Sequence, residues 1–168
     1  MSDVFKYFMS WLLVMNSRKI VENIMKQIII SFLIAFSSLT YGQDWVENLS
    51  EAKQFASEKN QNIVLVFSGS DWCIPCIKLD KTILSTSEFH DLSKDHFVMV
   101  KVDFPRKKKN QLAAMKAAEN RKLAEAYNPK GYFPLVVILD KEGNPLGEIG
   151  YENVSPSEYF RLLSSFES

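Results

Sequence analysis

Both cysteines of the chain fall in one short stretch, Trp72-Cys73-Ile74-Pro75-Cys76, just after the apolar run Ile63-Val64-Leu65-Val66-Phe67 and the turn Ser68-Gly69-Ser70-Asp71. A buried strand that feeds through a tight turn into a helix opening on Cys-x-x-Cys leaves few folds open. The first thiol then lies at a helix N-terminus, where unpaired N–H groups and the macrodipole favour its thiolate. The second sits nearly one turn on, close enough to close a ring with it. Two plainer readings compete, half of a zinc site and a pair of inert core cysteines. Zinc normally takes four ligands, and the chain has no second Cys pair. His90 and His96 are its only histidines, and their spacing fits no usual ligand pair. The pattern therefore favours thiol redox chemistry, with no metal expected.

Length and charge place that motif in an ordinary setting. The chain has 168 residues, 46% apolar and 24% charged, with formal net charge zero, which describes one globular domain with extra sequence at its N-terminus. The balance gives no sign of nucleic-acid binding. Arg106-Lys107-Lys108-Lys109 is the one basic cluster; between Pro105 and an Ala-rich stretch it reads as a solvated loop rather than a binding patch.

The first forty residues differ from the rest. Met25-Lys26-Gln27 leads into the apolar run Ile28 to Phe36, too short to cross a bilayer comfortably, and then to small residues at Thr40 and Gly42 suited to cleavage before Gln43. Residues 25–42 thus read as a secretory signal peptide. Residues 1–24 are then either an extension from a misplaced start codon, the favoured reading, or a real segment whose run Phe8 to Met15 belongs to an uncleaved anchor. Both readings put residues 43–168 outside the cytoplasm.

From Gln43 the chain alternates between helical and extended patterns. Trp45, Leu49, Ala52 and Ala56 recur at helical spacing, so Asp44 to Lys59 is expected to be an amphipathic helix. Ile63 to Phe67 is a buried strand, and the cysteine helix runs to about Leu84. Ser85 and Glu88 have capping-box spacing and open a short helix carrying Phe89 and Leu92. His96 to Phe104 is a second central strand, Gln111 to Tyr127 a helix stopped by Asn128-Pro129, and Pro134 to Asp140 a third strand. Lys141 to Asn144 is a hairpin turn before an edge strand, Leu146 to Tyr151. Ser155-Pro156-Ser157-Glu158 supplies an N-cap, a first-turn proline and an acid for the last helix. The order implies an α/β domain, a mixed central sheet flanked by helices on both faces.

These residues resemble the thioredoxin superfamily over nearly all of 43–168. The resemblance rests on Trp72-Cys73-Ile74-Pro75-Cys76, the Phe133-Pro134 step before the third strand, and the Gly143 hairpin with its Gly-containing edge strand. Within the superfamily, Gly69-Ser70-Asp71-Trp72-Cys73 and Val102-Asp103 look most like the secreted thioredoxin-like group, which is similar to the C-terminal domain of the membrane thiol-disulfide interchange protein. The resemblance implies a thioredoxin fold and dithiol–disulfide exchange without metal or organic cofactor. Cys73 would be the exposed nucleophile and Cys76 the more buried resolving thiol. Trp72 would shield the pair beside the substrate, and Pro75 would hold the helix entry. Pro134 matches the family's cis-proline, leaving Phe133 to hydrogen-bond an extended substrate segment.

Two positions depart from the family. The buried Asp of thioredoxins, six residues before the first Cys, is Phe67 here, and its partner Lys maps to Met99. Joint loss is coherent, since losing one partner alone strands a buried charge. Asp80, two helical turns after Cys73, becomes the candidate base for Cys76, with Asp71 a second candidate. The resemblance further implies disulfide-bearing protein substrates and electrons from a membrane thiol–disulfide reductase, in a periplasmic or other extracytoplasmic compartment. Reduction is the favoured direction, with oxidase or isomerase action as the runner-up. From a different class comes a binding or chaperone module with a structural disulfide, which a fully buried Cys pair would support and an exposed Cys73 sulfur would oppose.

Overall fold

A computed structural model describes residues 25–26 and 45–167. Residues 1–41 and 42–168 form separate units. In the first unit only Met25–Lys26 is described, and it is helical; the signal-peptide and extension readings otherwise lie outside the described residues. Among the described residues no helix is long and apolar enough to cross a membrane.

The second unit is a five-stranded sheet in the order β1-β3-β2-β4-β5. Its strands are β1 (Trp45–Val46), β2 (Asn62–Ser68), β3 (Phe97–Asp103), β4 (Leu135–Leu139) and β5 (Pro145–Ile149). The helices are α1 (Leu49–Lys59), α2 (Ile74–Leu79, running on as a π turn over Asp80–Leu84), α3 (Ser87–Ser93), α4 (Ala114–Tyr127) and α5 (Pro156–Ser164). β2 runs parallel to β3 and antiparallel to β4, so the sheet is mixed, as expected. The β2 residues Ile63 to Phe67 are essentially water-free on both faces, which is why they read as a continuous apolar run rather than an alternating one.

Alternation along the strands divides the core in two. One face carries Ile63, Leu65, Phe67, Val98, Val100 and Val102 and is covered by Ala52 and Ala56 of α1 and Leu123 of α4. The other carries Val64, Val66, Phe97 and Met99 and is covered by Leu79, Ile83 and Leu84 of the cysteine helix, Phe89 of α3, and Tyr159 and Leu163 of α5. The cysteine helix therefore lies on the Met99 face.

The structure corrects three local expectations. Trp45 and Val46 are not helical; they pair with Met99 and Val100 as a short parallel edge strand. The helix starts only after Asn48, whose side chain accepts the Glu51 N–H at 2.8 Å. The cap of α3 is Thr86 rather than Ser85: the Phe89 N–H donates to Thr86 Oγ1 at 3.2 Å. The α4 helix starts three residues late, at Ala114, after a 3₁₀ turn over Lys108–Asn110. At the other end of the chain the reading holds, with Ser155 Oγ accepting the Glu158 N–H and Pro156 in the first turn of α5. Gly143 takes the hairpin at φ +94°, a region that favours glycine.

The fourth correction concerns Phe67 and Met99. Both are fully buried, but on opposite faces of the sheet. Phe67 stands opposite Val102 in the β2–β3 register, so position 99 points away from it. They are two separate apolar sites, not joint replacements for one ion pair. Phe67→Asp is thus expected to bury an uncompensated carboxylate among Val100, Val102 and Leu135, costing roughly 3–5 kcal/mol. Phe67→Leu should cost about 1 kcal/mol. Urea denaturation of both variants measures the difference, and equal losses would mean that water reaches position 67.

Candidate active site

The turn after β2 is fixed before the cysteines begin. Ser68 O accepts the Phe104 N–H at 2.8 Å, and Gly69 O accepts the N–H groups of Trp72 at 3.2 Å and Cys73 at 2.9 Å. Ser70 donates its N–H and its hydroxyl to Asp103 at 2.9 and 2.6 Å, tying the turn to the end of β3. Gly69 is a glycine for lack of room, since a Cβ there would stand 2.4 Å from the Trp72 indole. Along the same edge Trp72 Nε1–H donates to Phe104 O at 2.8 Å. Phe133 meets the Trp72 and Phe104 rings edge-on, each with centroids 5.5 Å apart. Three aromatics from three parts of the chain thus build one wall beside the cysteines.

Cys73 and Cys76 form a disulfide with Cα atoms 5.3 Å apart. Cys73 is itself the N-cap of α2, its Sγ accepting the Cys76 N–H at 3.3 Å. Once the disulfide opens, that N–H and the helix start favour negative charge on Cys73. Pro75 occupies the first turn, where a missing N–H costs no helical hydrogen bond. Cys73 keeps 6% of its surface and Cys76 2%. Cys73 is thus more covered than an exposed nucleophile was expected to be, although the asymmetry has the sense that role needs. Ile74, between the two cysteines, is 69% exposed. The Phe133–Pro134 peptide is cis.

Asp80 lies one turn after Cys76, and its N–H donates to Cys76 O. Residues four apart on a helix share a face, so Asp80 and Cys76 lie on one side of it, a closer relation than the spacing from Cys73. Lys101 Nζ stands 3.5 Å from Asp80 Oδ1, both side chains being about one-third exposed. Ser85 Oγ donates to the same oxygen at 3.3 Å. The helix widens into its π turn at Asp80, with Ser85 N–H donating to Asp80 O. Lys101 also stands over the Trp45 ring, 5.6 Å from its centroid. Lys101 was missed from sequence. Its signal was there: it alternates with Met99 on β3, on the face the cysteine helix covers.

Asp71 has a different job. Its carboxylate accepts the N–H groups of Arg106 and Lys107 and the Asn110 side-chain amide, each at 2.9 Å. These bonds, the Arg106 N–H first among them, hold its carboxyl below the usual carboxylate range. An acid so engaged is a poor proton acceptor, so Asp71 drops out as a candidate base. It clasps the 105–110 loop, and the clasp brings the Arg106 guanidinium 3.7 Å over the Trp72 ring.

A parallel β2–β3 pair, an antiparallel β4 led in by a cis-proline, and a Cys-x-x-Cys helix start define a thioredoxin-fold redox site. The sequence profile of the thioredoxin-like family matches residues 44–141, and the chain belongs to that family. It is 36% identical over 119 residues to the disulfide bond reductase DsbH of Chlamydia pneumoniae, covering 71% of this chain and 70% of that protein. A solved structure of a DsbH oxidoreductase superposes with a TM-score of 0.68 at 34% identity, covering 74% of this chain and 84% of that one. A thioredoxin from Thermus thermophilus, at 19% identity and TM-score 0.52, shares the fold over 71% of this chain and 83% of its own. The chain is a thiol–disulfide oxidoreductase.

The Asp71 clasp carries its own expectation. A carboxyl lowered by folding stabilises above its unfolded value and loses that stabilisation as pH falls through the folded one. The clasp should therefore hold at neutral and mildly acid pH and open only below about pH 4. Asp71→Asn takes the negative charge from the three bonds that hold the loop. At neutral pH it should speed tryptic cleavage within Arg106–Lys109 by about tenfold or more, which mass spectrometry of a digestion time course reads. An unchanged rate would mean that the loop holds without Asp71.

Proposed function

We propose that the protein is an extracytoplasmic reductase of protein disulfides, cycling Cys73 and Cys76 between dithiol and disulfide. The observation that carries this reading is the Cys73 sulfur at the helix start, capped by the Cys76 N–H beside the aromatic wall. Kinship with a protein named as a disulfide bond reductase supports the direction.

In the reduced protein the Cys73 thiolate attacks one sulfur of a substrate disulfide. A Cys73–substrate bond forms, the substrate S–S bond breaks, and the first substrate thiolate leaves. Cys76 gives up its proton and attacks Cys73 Sγ. The Cys73–Cys76 disulfide forms, the second substrate thiolate leaves, and two electrons have passed to the substrate. Trp72 and Phe133 line the approach, and the peptide groups around Phe133 and Pro134 lie where an extended segment can be held. Asp80 is the proton acceptor for Cys76, with Lys101 and Ser85 fixing its position. No metal or organic cofactor enters the cycle. A membrane thiol–disulfide reductase restores the dithiol in the periplasm or an equivalent compartment.

The close cover of both cysteines favours a second reading, a binding module with a structural disulfide. The two part on the cysteine variants. Under the catalytic reading Cys73→Ser abolishes reduction of insulin disulfides and Cys76→Ser accumulates mixed disulfides. Asp80→Asn slows release of a mixed disulfide about ten- to a hundredfold while sparing the first attack. Stopped-flow mixing with a peptide disulfide separates these steps. Equal residual activity in both cysteine variants would mark the pair as structural, and wild-type resolution in Asp80→Asn would send the proton directly to water.

Export follows from the reading of residues 25–42 as a cleaved signal. Intact mass of the protein from its native host should give a mature chain beginning at or near Gln43. A product that keeps residues 1–42 would mean an anchored domain with the same chemistry.

A further inference from the structure

Beside Trp72 the surface opens into a cavity of about 580 Å³. Trp72, Phe104, Phe133 and Leu112 supply apolar surface, and Arg106 and Arg121 add two guanidinium groups. The cavity borders Trp72, the residue directly before Cys73, so a chain docked with its sulfur at Cys73 has room for its neighbouring side chains here. The charges along it are unequal in what they have left to bind. Asp103, the acid in the lining, is engaged by both donors of Ser70, and nearby Asp71 by three donors of the 106–110 loop. Arg106 and Arg121 make no ion pair with a carboxylate among the described residues. Arg106 is instead held over Trp72 by stacking, an arrangement that leaves in-plane N–H donors of its fork open. Lys107, Lys108 and Lys109 follow on the same clasped loop and are exposed. The basic run is therefore attached to the active site by Asp71.

We propose that this groove selects substrates by charge: it takes an extended protein segment with Asp or Glu beside the disulfide cysteine, held by Arg106 and Arg121. The proposal rests on the reductase reading and names the class of substrate which that site prefers. Its physical basis is complementarity. Carboxylates find two planar donors at the edge of an aromatic wall, where they steer the encounter and orient the sulfur toward Cys73. A small anion would use the same guanidinium groups, but a cavity of about 580 Å³ that Phe133 also lines has room for a chain that continues past the carboxylate.

The test uses two synthetic peptides with one internal disulfide each, identical except for Asp or Asn on both sides of one cysteine. Oxidation of the reduced protein by each peptide is followed by stopped-flow tryptophan fluorescence. Each rate is divided by that peptide's rate with a small neutral dithiol, which removes the effect of the flanking charge on the sulfur itself. The expected result is a normalised rate about tenfold higher for the Asp peptide at low salt, collapsing toward equality in about 1 M salt. Arg106→Gln with Arg121→Gln should bring the ratio close to one. Equal normalised rates for the two peptides in the unaltered protein would overturn the charge preference while leaving the reductase reading intact. So would a preference that survives both substitutions. Glutathione disulfide reacting as fast as the Asp peptide, with the same dependence on the arginines, would make a small anion the occupant and overturn the peptide assignment. A protein that reduces neither peptide overturns the reductase reading and the preference together.

Discussion

The pairing of β2 with β3, carried in register to Ser68 and Asp103, is the constraint on which the site depends. Past that point the two strands stop pairing as a ladder, yet they stay joined. Ser68 O takes the Phe104 N–H, and Ser70 gives both its donors to Asp103. The turn that launches the cysteine helix is therefore built on the end of a buried parallel pair. Gly69 then lets the indole of Trp72 fold back against its backbone, and Trp72 Nε1 returns to Phe104. Each step reuses the one before. The disulfide ends up at the C-terminal ends of the two central parallel strands, where open α/β sheets commonly place their reactive groups.

Buried backbone, rather than buried charge, does most of the positioning. Position 67 is apolar and fully covered, so the core beneath the turn holds no carboxylate there. The ionic pair on the cysteine helix, Asp80 with Lys101, lies instead at the partly exposed boundary between helix and sheet. Placement at a boundary changes its energetics. A deep pair must recover a large desolvation cost, whereas a pair that keeps part of its hydration pays less and contributes less. What it retains is access: both side chains of the pair stay in reach of water without opening the core.

Much of this was legible in the sequence where local chemistry and tertiary need agree. The Ile63–Phe67 run, the Cys-x-x-Cys helix start and the Ser155-Pro156 cap each state one structure, and each formed. The failures share a cause. Trp45 and Val46 fit the helical period of Leu49, Ala52 and Ala56, but an edge of β3 was free to pair with them, which no local window shows. Ser85 satisfies a capping pattern on paper, while the π turn before it moves the cap one residue on to Thr86. Phe67 and Met99 looked like partners by alignment of spacing alone. Strand alternation, counted through the register with β2, puts them on opposite faces. Lys101 and the Asp71 clasp needed contacts across 21 and about 35 residues respectively, beyond any periodicity.

The clasp also explains why the loop reading of Arg106 to Lys109 was incomplete. A basic run after a proline is usually solvated because nothing fixes it, and its charges then average over many positions. Here Asp71 fixes the backbone of Arg106 and Lys107 directly, and Asn110 closes the far end. Ordering the backbone removes in advance part of the entropy that a mobile loop would lose on meeting a partner. The stack on Trp72 does the same for the Arg106 side chain. An arginine already held over Trp72 differs from one that must be gathered in: its charge keeps one place on the surface next to the cysteine turn. Asp71, the residue before Trp72, thus shapes the surface beside the Cys73–Cys76 disulfide by fixing the loop that sets Arg106 over the indole.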